Sequence, residues 1–369
     1  MTSSAKIEGN GLEDVVAATT RLSDVDGEHG RLVLAGYPIE DVAGRLPFED
    51  ALFLLFRASL PTEDERATLR EGLGEAREAA FERIGDLGDA LALPDGMDAL
   101  RASVAHLGAA PGEEPLAEAV RIVGAISVFA AAWARQDAPV RPDARLPHGA
   151  DYLRMVSGRA APPAEVAAIN AYLVTVMDHG MNASTFAARV VASTASDTVS
   201  AVVAAIGALK GKLHGGAPGP VLDMLDAIGE AGQARAWLAS ALGRGERIMG
   251  MGHRVYRVRD PRAFVLERAV AQLEAASETS SPIGRRLRLA RAVEAEAETQ
   301  LAARHPERAL KANVEFYTAV LLEAVGLPRT LFTPTFAASR AAGWCAHVDE
   351  QRRYGRLIRP QSRYTAMKT

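Results

Sequence analysis

The chain has 369 residues, 48% of them hydrophobic and only 5% aromatic, so it can fill two domains, and its predominance of alanine favours closely packed helices. The formal charge of −4 argues against a nucleic-acid binder, because phosphate contacts need an excess of basic residues. The single cysteine, Cys345, rules out an intrachain disulfide and a thiolate metal cluster, and it fits a reducing compartment.

The first half of the chain predicts one hairpin followed by helices. A short apolar run at 32–37, bounded by Gly30 and Pro38 and preceded by Asp26-Gly27, predicts a small β-hairpin. The segment 117–133 is mostly apolar and predicts a buried helix, whereas the Pro- and Arg-rich segment 139–147 predicts a loop. The other predicted helices of this half are 46–60, 62–92, 162–177 and 182–194.

The second half is also predicted to be helical, with breaks at glycine and proline. The segment 207–220 contains five glycines and two prolines, which predicts a loop and a candidate domain boundary. A further break is expected at 326–328, and a basic extended tail at 355–369. The predicted helical segments are 198–209, 221–243 as a helix pair, 262–303 with a break near 279–282, 314–325 and 336–353.

Targeting and membrane signals are not evident. The first ten residues have neither an apolar signal region nor an arginine-rich transit pattern. Runs of apolar residues, as near 199–209, are too short to cross a bilayer. A soluble, cytoplasmic protein is therefore expected.

Three histidines lie in Gly-flanked breaks between helical segments. They are His179 in Asp-His-Gly, His214 in Leu-His-Gly-Gly and His253 in Gly-His-Arg, and Glu315 follows in Asn-Val-Glu-Phe. Because histidine titrates near neutral pH, imidazoles and a carboxylate in tight turns predict a site for proton transfer. Glu315 has a second interpretation that is equally open, because a carboxylate also favours the N-terminus of a helix.

The glycines beside two of these histidines permit close approach of a ligand to the backbone. A phosphate loop at 207–212 is disfavoured because its spacing is wrong and no Ser or Thr follows the Lys. Gly250 and Gly252 expose backbone groups that could hold a nucleotide base or a thioester. A dinucleotide fingerprint is disfavoured because Val255 stands where its third glycine would be.

Arginines later in the chain are candidate partners for a substrate carboxylate. Arg262, Arg340 and Arg359 each carry the planar fork that binds a carboxylate through two hydrogen bonds. Most single arginines are surface residues. Arg340 is more indicative, because it lies among small apolar residues, where a charge without a partner is costly.

Five segments of the chain resemble motifs of the citrate synthase family. The resemblance covers residues 11 to 365, and the His214 and His253 segments in this order are highly specific. The opening at 11–17 and 24–27 is also similar. The five segments are Asp-His-Gly-Met-Asn-Ala-Ser-Thr at 178–185, Leu-His-Gly-Gly-Ala at 213–217, Gly-Met-Gly-His-Arg-Val-Tyr at 250–256 with Asp-Pro-Arg at 260–262, Asn-Val-Glu-Phe-Tyr at 313–317 and Arg-Leu-Ile-Arg-Pro at 356–360.

The resemblance implies a fold and an assembly. It implies an all-α protein of two domains, a large one formed by 1–215 and 328–369 and a small one formed by 216–327. It further implies a homodimer whose domains close on the substrates, which would exclude water from the site. The implied reaction condenses acetyl-CoA with oxaloacetate and hydrolyses the thioester, with no metal and no cofactor beyond the CoA substrate.

The resemblance also implies a role for each candidate residue. Glu315 would remove a proton from the thioester methyl while a neutral His214 donates to the forming enol oxygen. His253 would polarise the oxaloacetate ketone. The implied oxaloacetate-binding residues are His179, Arg262, Arg340 and Arg359, the last from the partner subunit. The implied CoA-binding residues are Met249, Gly250, Met251 and Gly252.

One departure and three alternatives accompany this prediction. Most of the family has Asp where this chain has Glu315, and a subgroup of bacterial enzymes resembles this chain in having Asn-Val-Glu. One alternative is 2-methylcitrate synthase, which uses propionyl-CoA, since one methyl group is worth only about 1–3 kcal/mol in a pocket. Another is a metallohydrolase with zinc on His179, His214, His253 and Glu315. A third is a helical assembly protein without activity.

Overall fold

A small antiparallel sheet near the N-terminus precedes a helical body. The computed structural model describes residues 11–364 except 13–14, 137, 216–217, 253–255, 257, 279, 309 and 363. In these residues the strands are β1 (Ser23–Asp26), β2 (Arg31–Leu34) and β3 (Tyr37–Pro38). β1 pairs with β2, and β2 with β3, with Ser23 opposite Leu34. The predicted hairpin is confirmed, and β3 extends it.

Fifteen α-helices, joined by loops and short 3₁₀ turns, follow in the described chain, which confirms the all-α fold. They are α1 (Ile39–Val42), α2 (Phe48–Arg57), α3 (Glu63–Glu82), α4 (Gly96–Ala105), α5 (Pro115–Arg135), α6 (His148–Ser157), α7 (Pro163–Val176), α8 (Ala183–Ala192), α9 (Thr198–Leu209), α10 (Pro218–Ile228), α11 (Ala234–Gly243), α12 (Pro261–Ala276), α13 (Pro282–Arg304), α14 (Val314–Ala324) and α15 (Phe332–Tyr354).

Helix α5 occupies the centre of the core. It packs against α3, α4, α6 and α15, and α15 in turn packs against α7, α8 and α9. Among the described residues, α5 is the one helix long and apolar enough to cross a bilayer, but 89% of its apolar window is buried in the protein. The prediction of a buried helix at 117–133 is therefore confirmed, and α5 has the burial of a core helix.

Side-chain caps determine where three helices of the later site begin. Asn182 caps α8 by accepting from the backbone N–H of Thr185. Asp260 caps α12 by accepting from the N–H of Arg262. Asn313 caps α14 by accepting from the N–H of Glu315 and the next residue. These caps satisfy N–H groups that have no partner within the helix, so each helix starts at a defined residue.

Several predicted boundaries were wrong. The helix expected at 62–92 ends at Glu82, and two short 3₁₀ turns, Ile84–Asp86 and Ala90–Ala92, follow it. Helices α4 and α6 were not predicted. Helix α15 begins at Phe332, four residues before the expected start, because Pro334 is tolerated in a first turn, where no intrahelical N–H bond is lost. The loop expected at 207–220 is shorter, since α9 ends at Leu209 and α10 begins at Pro218.

The division into two domains stays a prediction. Helices α10 and α13 pack against α14, and α11 packs against α13, so the middle of the chain forms contacts of its own. Helices α12 and α14 also pack against α7, which belongs to the predicted large domain. Packing thus joins the two predicted parts directly through α7.

Candidate active site

His214 lies in the turn that follows α9 and is half-buried. Its Nε2 atom is 2.8 Å from Oγ of Ser184, and its ring meets that of Phe336 edge-on, with centroids 6.4 Å apart. Burial, reinforced by the charge of Arg340, lowers the pKa of His214 to about 4. At neutral pH the imidazole is therefore uncharged and bears a single ring proton.

The partners of Ser184 determine where that proton resides. The Ser184 hydroxyl donates to Oδ1 of Asn182 at 2.8 Å and accepts from the indole N–H of Trp344 at 3.1 Å. Oδ1 of Asn182 also accepts from the N–H of Thr185, which fixes the orientation of the amide. Since the only proton of Ser184 goes to Asn182, Nε2 of His214 must be the donor in the bond between them.

Glu315 lies in the first turn of α14, directly after the cap Asn313. Burial raises the pKa of Glu315 to about 7, against the opposing influence of the nearby Arg262 and Arg340 charges. Among the described residues its carboxylate has no hydrogen-bond or ion-pair partner. A carboxyl group that titrates near neutrality and is not engaged elsewhere can serve as a general base.

Two buried arginines lie near this carboxylate. Arg340 is 1% exposed and donates from Nε to the carbonyl of Val176 at 2.6 Å, while its guanidinium carbon lies 4.7 Å from the Phe336 ring centroid. Burial lowers the pKa of Arg340 to about 10, so it remains charged at neutral pH. Arg262 is 6% exposed and donates to Asp260 at 2.8 and 3.1 Å. Buried cations of this kind suit an anionic ligand.

His179 adjoins the same group of side chains. Its Nε2 atom is 3.0 Å from the hydroxyl of Tyr256, and the guanidinium of Arg262 lies 5.8 Å from the Tyr256 ring centroid. Asp178, directly before His179, is buried and accepts from Nε2 of His347 at 3.1 Å and from the hydroxyl of Ser23. These bonds hold the His179 loop from both the sheet and α15.

The glycine-rich loop 249–252 is tied to the segment that precedes Glu315. The N–H of Gly252 donates to the carbonyl of Lys311 at 2.8 Å, and Nδ2 of Asn313 donates to the carbonyl of Gly252 at 2.6 Å. Gly250 has φ +76°, and a Cβ there would lie 2.8 Å from Cβ of Phe316. Only glycine fits this backbone conformation and this close approach.

A cavity of about 770 Å³ lies between the turn after α9, the glycine-rich loop and the start of α14. His214, Met251, Gly252, Asn313 and Glu315 all line it. Its rim carries the basic side chains Arg247, His305 and Arg308, together with Glu246. The cavity thus offers a neutral imidazole, a carboxyl group of raised pKa and cationic groups to one ligand.

Four predicted site residues line this cavity, namely His214, Met251, Gly252 and Glu315. His179, Arg262, Arg340 and Gly250 are not among its lining residues, although the charges of Arg262 and Arg340 act on Glu315. Arg359 is exposed in the tail and lines a different cavity, of about 510 Å³, beside Leu12 and Tyr354. Met249 is 37% exposed and is not among the residues that line the cavity of His214. His253 lies outside the described residues.

Comparisons with known proteins show the family of the chain. Residues 11–361 match the family model described as citrate synthase, C-terminal domain. The chain belongs to the citrate synthase family. It is 39% identical to the citrate synthase of Haloferax volcanii, covering 97% of this chain and 96% of that one. It is 37% identical to the 2-methylcitrate synthase of Mycobacterium tuberculosis, covering 96% and 89%.

Solved structures lead to the same family. The ternary complex of carboxymethyl coenzyme A and oxaloacetate with citrate synthase from Thermoplasma acidophilum matches with a TM-score of 0.83 and 28% identity, covering 97% of this chain and 96% of that one. The predicted citrate synthase-type enzyme, an acyltransferase, is thereby confirmed at the level of the family. The metallohydrolase alternative has no support, and no three potential metal ligands converge among the described residues.

Several residues of this citrate synthase-family site were missed from the sequence. Ser184 and Tyr256 lay within the quoted motifs but were given no role. Phe336, Trp344 and Ser23 lay outside those motifs. A local signal existed only for Ser184, because its position two residues after the cap Asn182 allows the two side chains to bond. The contacts of the other four depend on chain segments that are distant in sequence.

Proposed function

We propose that this protein is a citrate synthase that condenses acetyl-CoA with oxaloacetate and water to give citrate and CoA. The proposal depends mainly on one observation, which is that Glu315 and His214 line the same cavity. The pKa of Glu315 is raised to about 7, and that of His214 is lowered to about 4. Groups with pKa values moved apart in this way serve as a base and a neutral hydrogen-bond donor. The names of the relatives support the same reaction.

Enolisation of the thioester is the first step. Glu315 removes a proton from the methyl carbon, and His214 stabilises the enol oxygen. The free ring nitrogen of His214 is Nδ1, because Nε2 bonds Ser184. For Nδ1 to donate, Nε2 gives its proton to solvent water and Nδ1 takes one from solvent water, which keeps the imidazole neutral. Ser184 then turns its own proton from Asn182 to the deprotonated Nε2.

Carbon bond formation requires an anchored oxaloacetate. Arg262 and Arg340 neutralise its carboxylates, and His179, oriented by Tyr256, contacts it as well. His253, which lies outside the described residues, is assigned by its motif alone to polarise the ketone and protonate the new alkoxide. Water then hydrolyses the citryl thioester, and no metal or additional cofactor enters these steps.

Arg359 completes the oxaloacetate site from a second copy of the chain. Its exposure in the tail and its distance from the cavity of His214 within one protomer support a role across a homodimer interface. An isologous dimer would supply one such arginine to each of two sites. Closure of the domain 216–327 on the domain formed by 1–215 and 328–369 would complete the cleft.

The CoA portion binds at the glycine-rich loop. The backbone of Met249, Gly250, Met251 and Gly252 contacts the adenine. Arg247 and Arg308 on the rim of the cavity face the phosphates, since guanidinium groups bind phosphate oxygens through paired hydrogen bonds. The protein would act in the cytoplasm, in keeping with its single cysteine.

A 2-methylcitrate synthase is the second candidate, and the Mycobacterium tuberculosis relative favours it. The Asn-Val-Glu motif at Glu315 resembles that of a subgroup whose base is one methylene longer, a difference that would affect the position of the acyl group. The deciding experiment is thiol release with oxaloacetate and a panel of acyl-CoA donors. Faster turnover of acetyl-CoA supports citrate synthase, faster turnover of propionyl-CoA supports the second candidate, and no release from any donor overturns both.

A further inference from the structure

We propose that the hairpin formed by β1, β2 and their turn positions both loops that bind oxaloacetate, with Ser23 and Gly30 as its contact residues. The inference rests on the function proposed above, since it takes His179 and Arg262 as ligands of the keto-diacid. Neither Ser23 nor Gly30 touches the substrate in this proposal. Each acts by fixing the backbone beside a residue that does.

Ser23 holds the His179 loop from both sides. Its hydroxyl donates to Oδ2 of Asp178 and accepts from the N–H of Gly180 at 2.9 Å. These two residues are the immediate neighbours of His179. The positive φ of Gly180, +56°, places its Cα toward β1, where a Cβ would lie 3.2 Å from Val25. One side chain therefore holds the carboxylate of the residue before the histidine and the peptide N–H of the residue after it.

A ring of buried bonds fixes β1 itself. The backbone N–H of Arg21 donates to Glu350 at 2.8 Å, and Glu350 also accepts from Arg189. Arg189 donates to Nδ1 of His347 at 2.7 and 2.9 Å, and Nε2 of His347 donates to Asp178, the partner of Ser23.

Because a guanidinium only donates, the direction of every bond in this ring is set. The ring starts at Arg21, two residues before β1, and ends at Ser23, the first residue of β1. The strand is thereby anchored to α8 and α15, the helices that carry Arg189, His347 and Glu350.

The turn of the hairpin fixes the second loop. Gly30 has φ +65°, and a Cβ there would lie 2.5 Å from Cγ2 of Val258 and 3.0 Å from the carbonyl of Arg259. The turn is held in shape by Asp26, which accepts from the N–H groups of Glu28 and His29 at 3.1 and 3.0 Å. Val258 and Arg259 directly precede the cap of α12, whose first turn carries Arg262.

The two contacts of the hairpin connect the two loops that bind oxaloacetate in this proposal. The hairpin touches the His179 loop at Ser23 and the 258–259 segment at Gly30, and these two loops meet at the bond between His179 and Tyr256. A misplacement of about 1 Å can cost ~10²-fold in rate. Because both loops hold oxaloacetate, loosening either one should weaken that substrate specifically and leave acyl-CoA binding unchanged.

Steady-state kinetics of the intact protein test the proposal, with Gly36 as a matched control. Gly36 also has a positive φ, +93°, in the turn between β2 and β3, but a Cβ there meets nothing within 4 Å. Ser23→Ala and Gly30→Ala should each raise the KM for oxaloacetate about tenfold, with the KM for acyl-CoA within about twofold of the parent. Ser23→Thr, which keeps the hydroxyl, should restore the KM, and Gly36→Ala should leave it unchanged.

The outcomes separate this proposal from the proposed function. If the parent protein releases no thiol with any acyl-CoA, the proposed function fails, and the positioning role fails with it. If the parent is active and Ser23→Ala and Gly30→Ala keep the parental KM for oxaloacetate, only the positioning role is overturned. An equal loss in Gly36→Ala, or in both KM values, would also overturn it, since general damage to the sheet would then explain the effect.

Discussion

The hydroxyl of Ser184 lies 2.8 Å from Nε2 of His214 and bonds Asn182 and Trp344 at the same time. The uncharged imidazole can present a proton at Nδ1 only when Ser184 reverses one of these bonds. In the proposed mechanism the hydroxyl therefore accepts from Nε2 in one tautomer of His214 and donates to it in the other. This role makes Ser184 a positioning residue with its own kinetic signature.

Replacing Ser184 by Ala should lower kcat by ~10-fold or more, because proton transfer depends on the correct protonation state of the donor. The KM for oxaloacetate should stay near the parental value. Ser200→Ala is the matched control, since Ser200 lies in the first turn of α9 and also bonds its cap residue, Asp197, at 2.7 Å. Parental kcat in Ser184→Ala would exclude the tautomer role.

The pKa of Glu315 predicts how activity and stability depend on pH. A base with a pKa of about 7 must be ionised, so kcat/KM should fall as the pH drops below 7, and Glu315→Ala should lose several orders of magnitude in rate. The raised pKa contributes stability below the unfolded value of 4.5, which is lost as the pH rises through 7.

Glu315→Gln tests the stability consequence of that shift. The variant should match the Tm of the parent near pH 4.5 and exceed it at pH 8, because the amide does not ionise. Differential scanning calorimetry at the two pH values measures the difference. A parental Tm at both values would contradict the burial of an ionisable group at this position.

Hybrid dimers test the proposed contribution of Arg359 across the interface. Arg359→Gln and Glu315→Gln should each be inactive as homodimers. After the two are unfolded and refolded together in equal amounts, about a quarter of the parental activity should return, because about half of the dimers are hybrids with one intact site. If Arg359 acted within its own subunit, no hybrid would contain an intact site and no activity would return.

The buried network of Asp178 should be visible as an acid-dependent stability. Burial alone would raise the pKa of Asp178, but His347, Arg340 and the hydroxyl of Ser23 lower it to about 2. The depressed pKa contributes stability above pH 3.8 that is lost as the pH falls toward 2. Asp178→Asn should therefore lower the Tm by several degrees at pH 7, and the deficit should shrink in acid. A constant deficit at all pH values would indicate packing alone.

The sequence predicted the helical fold and located most of the candidate site residues, because both depend on local patterns. His214 directly precedes a pair of glycines and Glu315 follows the cap residue Asn313, and both signals could be located in the sequence. The resemblance of these motifs to a known family implied that the two residues share a cavity. The partners of these residues were not predictable in the same way. Phe336 contacts both His214 and Arg340 only because α15 crosses the turn after α9, which no local pattern indicates.

The errors in the predicted elements have the same physical origin. Helix α6 follows the Pro-rich loop directly, and its helical pattern is interrupted by Gly149, which packs against Ile169 of α7. Tertiary packing supports this glycine in the helix despite its poor propensity. Arg359 shows the complementary limit, because its proposed place in the site depends on a second copy of the chain.

Leu213, next to His214, is fully exposed at 103%, and it lines the same cavity. An apolar side chain left in water there is surface that a bound CoA thioester would cover. Association should then carry a negative heat-capacity change, since removal of apolar surface from water has this signature. Calorimetric titration at several temperatures would measure this heat-capacity change, and Leu213→Ser should reduce its magnitude. A binding enthalpy that does not change with temperature would show that the leucine side chain remains exposed to solvent in the complex.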